Sequence, residues 1–185
     1  MAKPSRLKGK EIVVGVTGSI AAFKSAEVVS QLVQRGAGVS VVMSEAAANF
    51  VGPLTFQSLT RRRVMVDQFD LENVLDPTHI SLADEADLVL VAPATANFLG
   101  KAAHGIADDM LTSLLLAVRC PVLAAPAMND RMWNHPAVRE NVETLRKRGV
   151  RFVEPESGFL ACGTYAKGRL AEPGRIVAEA ERCVS

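Results

Sequence analysis

A few short segments of the chain concentrate the side chains that take part in chemistry. Pro126-Ala127-Met128-Asn129-Asp130-Arg131-Met132-Trp133 gathers a carboxamide, two thioethers and the one tryptophan. Beside a strand edge this set could line a site, although prolines and an asparagine also make ordinary turns. Gly158-Phe159-Leu160-Ala161-Cys162-Gly163-Thr164-Tyr165-Ala166-Lys167-Gly168-Arg169 is punctuated by glycine and carries a thiol and two cations. That composition reads as a mobile flap. Gly15-Val16-Thr17-Gly18-Ser19 and Pro93-Ala94-Thr95-Ala96-Asn97 are small, hydroxyl-bearing segments. They suit either a phosphate and polar ligand edge approached by backbone N–H groups, or plain helix starts with Ser19 as an N-cap.

These segments need a scaffold that brings them to one edge. Apolar runs alternate with helical patterns throughout, which predicts an α/β fold, a three-layer doubly wound parallel sheet in a single domain spanning 1–185. The strands are read as Ile12–Thr17, Val39–Ser44, Leu88–Ala92, Val122–Ala125 and Val150–Val153. Between the first two, Ile20, Ala21, Ala22, Ala26, Val28, Val29, Leu32 and Val33 form an apolar face at helical spacing, with Gly36 as the stop. Further helices are read over Asp108–Val118, Pro136–Arg148 and Gly174–Cys183. In such a fold the strand C-terminal ends share one edge, and the four loops after the first four strands line one crevice. There is no GxGxxG and no Walker lysine. Ser44, not an acidic residue, ends the second strand, and Glu45 comes one place later. A hydroxyl there favours the terminal phosphate of a mononucleotide such as FMN over the ribose of NAD.

Composition narrows the classes. With 21 Lys plus Arg against 20 Asp plus Glu, the formal charge is +1, so no basic field exists for nucleic acid or an anionic membrane surface. Arg61-Arg62-Arg63 reads as a solvated helix end. The apolar run at Leu88–Ala96 is broken by Pro93 and falls short of the ~20 residues of a membrane span. Three cysteines without CxxC spacing indicate neither a disulfide framework nor a zinc site, which predicts a cytoplasmic protein with no metal. Cys120 and Cys183 read as structural thiols, His135 as an N-terminal helix residue and His104 as a helix-end residue. Leu111, Leu114, Leu115 and Val118 read as core or subunit contact.

Taken together, Thr17-Gly18-Ser19-Ile20-Ala21, His79 nine residues ahead of Leu88, Ala92-Pro93-Ala94-Thr95-Ala96-Asn97, the Pro126–Trp133 segment and Leu160-Ala161-Cys162-Gly163 with Gly168-Arg169 resemble the homo-oligomeric flavin-containing cysteine decarboxylases. The likeness is to the branch that acts on phosphopantothenoylcysteine. It runs along the whole chain, and five motifs in order are specific where any one is weak.

The resemblance implies FMN as cofactor and the conversion of 4′-phosphopantothenoylcysteine to 4′-phosphopantetheine in coenzyme A biosynthesis. In that reaction the thiol is oxidised to a thioaldehyde, CO₂ leaves, and the ene-thiol is reduced. It implies His79 and Cys162 as catalytic residues, with Cys162 the proton donor of the reductive step. Asn129 would hold the substrate carboxylate, with Met132, Ala161, Lys167 and Arg169 as further substrate contacts. Gly18, Ser19, Ile20, Ser44, Thr95, Ala96, Asn97, Phe98 and Ala127 would bind the cofactor. Two flap positions depart from the family pattern: Thr164 stands where an acidic residue is common and Ala166 where glycine is common. A trimer or dodecamer with the active site at subunit interfaces is implied, as is fusion to or partnership with a phosphopantothenate–cysteine ligase. Two other readings stay open. One is oxidative decarboxylation of a peptidyl C-terminal cysteine, which the Cys162 flap opposes. The other is a non-enzymatic flavin-binding regulatory protein, for which no long acidic tail speaks.

Overall fold

A computed structural model describes residues 5–68 and 79–184. Five runs pair in parallel: β1 (Glu11–Val16), β2 (Gly38–Met43), β3 (Leu88–Ala94), β4 (Val122–Pro126) and β5 (Arg151–Phe152). Their order is β2-β1-β3-β4-β5, the doubly wound arrangement in which the strand order reverses beside β1. β3, at the centre, is buried at all seven positions. An unbroken apolar run is what a strand covered on both faces requires.

Side chains alternate between the two faces as the pleat dictates. Ile12, Val14 and Val16 point to a core shared with Val28, Val29 and Leu32 of α1 (Ala22–Gln34) and with Ile176 and Val177 of α9 (Pro173–Cys183). Val13, Val89 and Val91 point to the opposite core. It is filled from α4 (His79–Glu85), α5 (Ala96–His104), α6 (Met110–Ala117) and α8 (Pro136–Lys147), and from Trp133 of the short α7 (Asp130–Trp133). Two further helices, α2 (Glu45–Ala48) and α3 (Pro53–Thr60), follow β2. An antiparallel hairpin, β6 (Glu156–Phe159) with β7 (Tyr165–Arg169), stands apart from the main sheet.

Several boundaries differ from the sequence reading, each for a local reason. The first helix begins at Ala22, because Ser19 uses its hydroxyl to accept the Ala21 N–H in the preceding turn (3.2 Å) and is not the helix cap. Ile20 therefore leaves the apolar face of that helix and is 58% exposed. Ser44 is not the last residue of β2 but the N-cap of α2, its hydroxyl accepting the Ala47 N–H. β3 runs on through Pro93 to Ala94, where its pairing with β4 becomes irregular and the missing proline N–H is tolerated. The segment read as a flap forms a hairpin with its turn at residues 160–164. Arg61 closes α3 in a left-handed conformation, and Arg62 donates to Glu11 at 3.1 Å, which raises its pKa. That matches a helix end.

Asp87 ties the start of β1 to the approach of β3, accepting from Lys10 Nζ and from the Glu11 N–H, both at 2.9 Å. The Lys10 hydrogen bond, then the Glu11 N–H, holds its carboxyl below the usual range. A depressed carboxylate contributes stability above its unfolded pKa and loses it as pH falls through the folded value. Asp87→Asn is expected to cost about 1 kcal/mol or less near neutral pH, since the pair is partly exposed. In parallel denaturant titrations the deficit should vanish below the ordinary carboxylate range. A deficit that persisted there would assign the loss to packing.

Candidate functional site

The loops after β1 to β4 meet at the strand C-terminal edge around a cleft of about 660 Å³. Thr17 is buried and sets the distance between two of these loops. Its hydroxyl donates to the Pro93 carbonyl (2.7 Å) and accepts the Thr95 N–H (3.1 Å), so it serves as scaffold. Gly18 follows from a close approach: a Cβ there would lie 2.5 Å from the Ala46 side chain. The groups that face the cleft include Ser19, Ser44 and the Thr95–Phe98 turn, Ala127 and Met128 after β4, and the acidic Glu45 and Asp67 with Gln68 on the β2 side, none of these last three singled out from the sequence as a binding residue. Thr95 caps α5 by accepting the Phe98 N–H, so this wall presents the N-terminus of a nine-residue helix.

The far end of the cleft is formed by Lys101 with Asp108 and Asp109. Lys101 Nζ lies 2.7 Å from Asp108 and 3.4 Å from Asp109, and the Asp108 hydrogen bond raises the ammonium pKa. Asp109 also caps α6 in a reciprocal capping box with Thr112. None of these three was singled out from the sequence. The capping box was a readable signal, but the ion pair depends on the turn between α5 and α6, which spacing does not reveal.

A second cavity, about 480 Å³, lies behind the β6–β7 hairpin and shares Ser19, Ala127 and Met128 with the first. Its walls include Ile20, Phe23 and Lys24 at the start of α1, Asn129, and the hairpin from Phe159 to Cys162. The hairpin is fastened by backbone. The Met128 N–H donates to the Gly168 carbonyl at 3.0 Å, and a Cβ at Gly168 would stand 2.2 Å from the Met128 oxygen. Only glycine permits that approach.

This contact delivers the hairpin's thiol to the asparagine. Asn129 caps α7, its Oδ1 accepting the Arg131 N–H (2.9 Å), so its Nδ2 is the end that reaches Cys162 Sγ at 3.2 Å. Thr164 Oγ1 lies 3.1 Å from the same sulfur. Thr164, by side chain and then by backbone, lowers the Cys162 pKa; burial opposes this, and the Asn129 hydrogen bond adds a smaller lowering. Burial instead raises the Cys120 and Cys183 thiols. Cys120 is half-buried and Cys183 buried, as structural thiols would be, whereas Cys162 is exposed.

Of the remaining candidates, Gly18, Ser19, Ser44, Thr95, Ala96, Asn97, Phe98 and Ala127 all line the first cleft. Ile20 does not: its exposed side chain faces the second cavity, because it precedes α1. Met132 departs in the other sense and lines the first cleft. Ala161 and Arg169 line the second cavity, whereas Lys167 lines neither and pairs with Glu154 (3.3 Å). Arg169 is paired with Glu172 and lies 3.7 Å from Glu156. His79 begins α4 and lines neither cavity, and Pro77-Thr78 ahead of it lie outside the described residues. His104 ends α5 and bonds the Gly100 carbonyl, and His135 caps α8. Among the described residues, no cluster of three or more His, Cys, Asp or Glu side chains is arranged to hold a metal, and no helix is long and apolar enough to cross a membrane.

Known proteins share this arrangement. The chain is 52% identical over 176 residues to the coenzyme A biosynthesis bifunctional protein CoaBC of Bacillus subtilis, covering 95% of this chain and 43% of that protein. It is 46% identical to the corresponding protein of Vibrio cholerae, again over 95% of this chain and 44% of the relative. The chain thus spans less than half the length of the curated relatives it matches. Among solved structures, a cysteine-to-serine mutant of PPC decarboxylase complexed with pantothenoylaminoethenethiol superposes with a TM-score of 0.84 at 29% identity, over 95% of this chain and 98% of that one. The FMN-dependent cysteine decarboxylase SpaF superposes with a TM-score of 0.83 at 34% identity, over 97% of both chains. The Flavoprotein family profile matches residues 1–185, so both cavities and the hairpin between them fall inside it, and the chain belongs to the Flavoprotein family.

Proposed function

We propose that this chain is an FMN-dependent decarboxylase that converts 4′-phosphopantothenoylcysteine to 4′-phosphopantetheine in coenzyme A biosynthesis. The observation that carries the reading is the Asn129–Cys162 pair, 3.2 Å apart in the cavity adjoining the cleft. It places an uncharged carboxylate ligand beside a proton-bearing thiol. Similarity to the CoaBC proteins and to PPC decarboxylase supports the substrate.

The first cleft fits FMN on its own chemistry. Its volume lies within the roughly 300–1,000 Å³ typical of small-ligand sites. Ser19, Ser44, Thr95 and Asn97 supply neutral donors and acceptors, and the α5 N-terminus favours an anionic group. When bound there, FMN supplies a two-electron acceptor that lets a cysteine thiol become a thioaldehyde, onto which the charge left by CO₂ can spread.

The chain's own residues then have defined tasks. The Asn129 amide orients the carboxylate by hydrogen bonding without a formal positive charge that would resist CO₂ loss. The hairpin covers the reacting carbon and restricts water. Cys162 gives a proton to the ene-thiol in the reductive half, which favours the saturated product over the oxidised one. Arg169, and Lys24 beside it in the same cavity, suit the substrate phosphate once their shared partner Glu172 yields.

His79 lies outside both cavities of its own chain, and in our reading it serves the site of a neighbouring subunit in a homotrimer or a larger dodecamer. The bifunctional relatives support fusion to, or partnership with, a phosphopantothenate–cysteine ligase. Free thiols suit a cytoplasmic location.

The primary test is the product mass after FMN-loaded protein meets 4′-phosphopantothenoylcysteine. Loss of CO₂ alone is expected; loss of CO₂ plus two hydrogens would move the protein to the oxidative class, and an unchanged substrate would overturn the assignment. Cys162→Ser should still release CO₂ but yield the product lighter by two hydrogens, and full reduction by this variant would remove Cys162 from proton delivery. Asn129→Asp sets two carboxylates against each other and should lower kcat/KM at least about tenfold, some 1.4 kcal/mol. Wild-type kinetics would place the carboxylate elsewhere. His79→Asn should remain yellow and lose about 10²-fold or more in turnover, whereas unaltered turnover would exclude His79 from any site.

A further inference from the structure

The sulfur of Cys162 has two neutral polar neighbours, the amide of Asn129 as donor and the hydroxyl of Thr164. Asn129 Nδ2 is 3.2 Å away and Thr164 Oγ1 3.1 Å away, from two chain segments 33 and 2 residues distant. Asn129 cannot turn its oxygen to the thiol without giving up the Arg131 N–H, so its NH₂ faces the sulfur. Charged groups in the neighbourhood are engaged elsewhere. Lys24 and Arg169 share the cavity but pair with Glu172, and Lys167 on β7 pairs with Glu154. Asp130 and Arg131 adjoin Asn129 on α7. The lowered thiol pKa traces to hydrogen bonds and not to any of these charges.

The same Asn129 amide is the group assigned above to the substrate carboxylate, and an NH₂ aimed at the sulfur cannot serve both at full strength. We propose that Asn129 and Thr164 form a two-donor cradle for the Cys162 sulfur, and that Asn129 leaves it for the substrate carboxylate and returns once CO₂ has gone. Thr164 is then a positioning residue that acts through Cys162. This inference rests on the decarboxylase reading for its timing, but the cradle itself rests on the geometry.

With Asn129 on the carboxylate, the sulfur has lost a donor and keeps its proton. After CO₂ departs the amide returns, and a thiolate becomes easier to leave behind. At that stage the Cys162 S–H bond breaks as one C–H bond forms on the ene-thiol. The reduced cofactor would supply the second C–H bond as a hydride, hydrogen and electron pair together, and would be left oxidised, while the thiolate regains a proton from water. A carboxylate at position 164 would oppose the thiolate by like charge, whereas the threonine hydroxyl supports it.

The test is a pH titration of thiolate ultraviolet absorbance in the FMN-loaded protein, taken as the difference between wild type and Cys162→Ser. Thr164→Val, at an exposed hairpin position, should move the midpoint to higher pH, and Thr164→Ser should restore it. A saturating substrate analogue with alanine in place of the cysteine keeps the carboxylate and lacks the thiol. It should also raise the midpoint, while its N-ethylamide counterpart without the carboxylate should not. A Thr164→Val midpoint equal to wild type, or equal midpoints with the two analogues, would overturn the cradle. The Thr164 shift in a protein that releases no CO₂ from 4′-phosphopantothenoylcysteine would uphold the cradle and overturn the functional reading instead.

Discussion

The backbone contact between Gly168 and Met128 is the constraint on which the site depends. It is made by one N–H···O bond and by the absence of a Cβ. Met128 belongs to the loop after β4 and borders both cavities, whereas Gly168 belongs to the hairpin. Joining them fixes the hairpin relative to the sheet edge, brings Cys162 within reach of Asn129 and gives the second cavity its outer wall. Without that approach the sheet edge would still form a cleft, and the thiol would have no fixed position near it.

Neutral groups dominate this chemistry. The described polar contacts to the Cys162 sulfur come from an amide and a hydroxyl, and the first cleft presents hydroxyls and carboxamides beside the carboxylates of Glu45 and Asp67. The cations that border the cavities are matched by carboxylates: Lys101 by Asp108 and Asp109, Lys24 and Arg169 by Glu172. A reaction that must expel CO₂ is not helped by a fixed positive charge on the departing group. Hydrogen-bond donors orient a carboxylate while leaving it free to lose its charge to the neighbouring carbon.

Much of this was legible in the sequence because two periodicities are strong. Continuous apolar runs announced the central strands, and the alternation with helical faces announced layers on both sides. The first cleft was legible because four loops following parallel strands must share an edge. What escaped the reading depended on tertiary detail. Ile20 has the apolar character of a helix face but lies before the helix, because Ser19 spends its hydroxyl on the turn. The hairpin was hidden by its glycines and charges, since neither strand shows the alternation of a half-buried sheet. The pairing of Lys101 with two aspartates required the α5–α6 turn. His79 was singled out by its motif and not by its surroundings, and it lines neither cavity.

The hairpin divides into an anchor and a tip with different freedoms. The anchor, Gly168 against Met128 followed by fully buried Leu170 and Ala171, is fixed by backbone and core packing. The tip from Ala161 to Tyr165 is exposed and contributes nothing to either core. Selection can therefore rewrite the tip at little cost in folding. Under the decarboxylase function proposed above, a lineage that exchanged Cys162 or Thr164 would keep both cavities and Asn129 while changing how far the reaction proceeds, so divergence of product within one architecture needs only a handful of surface substitutions.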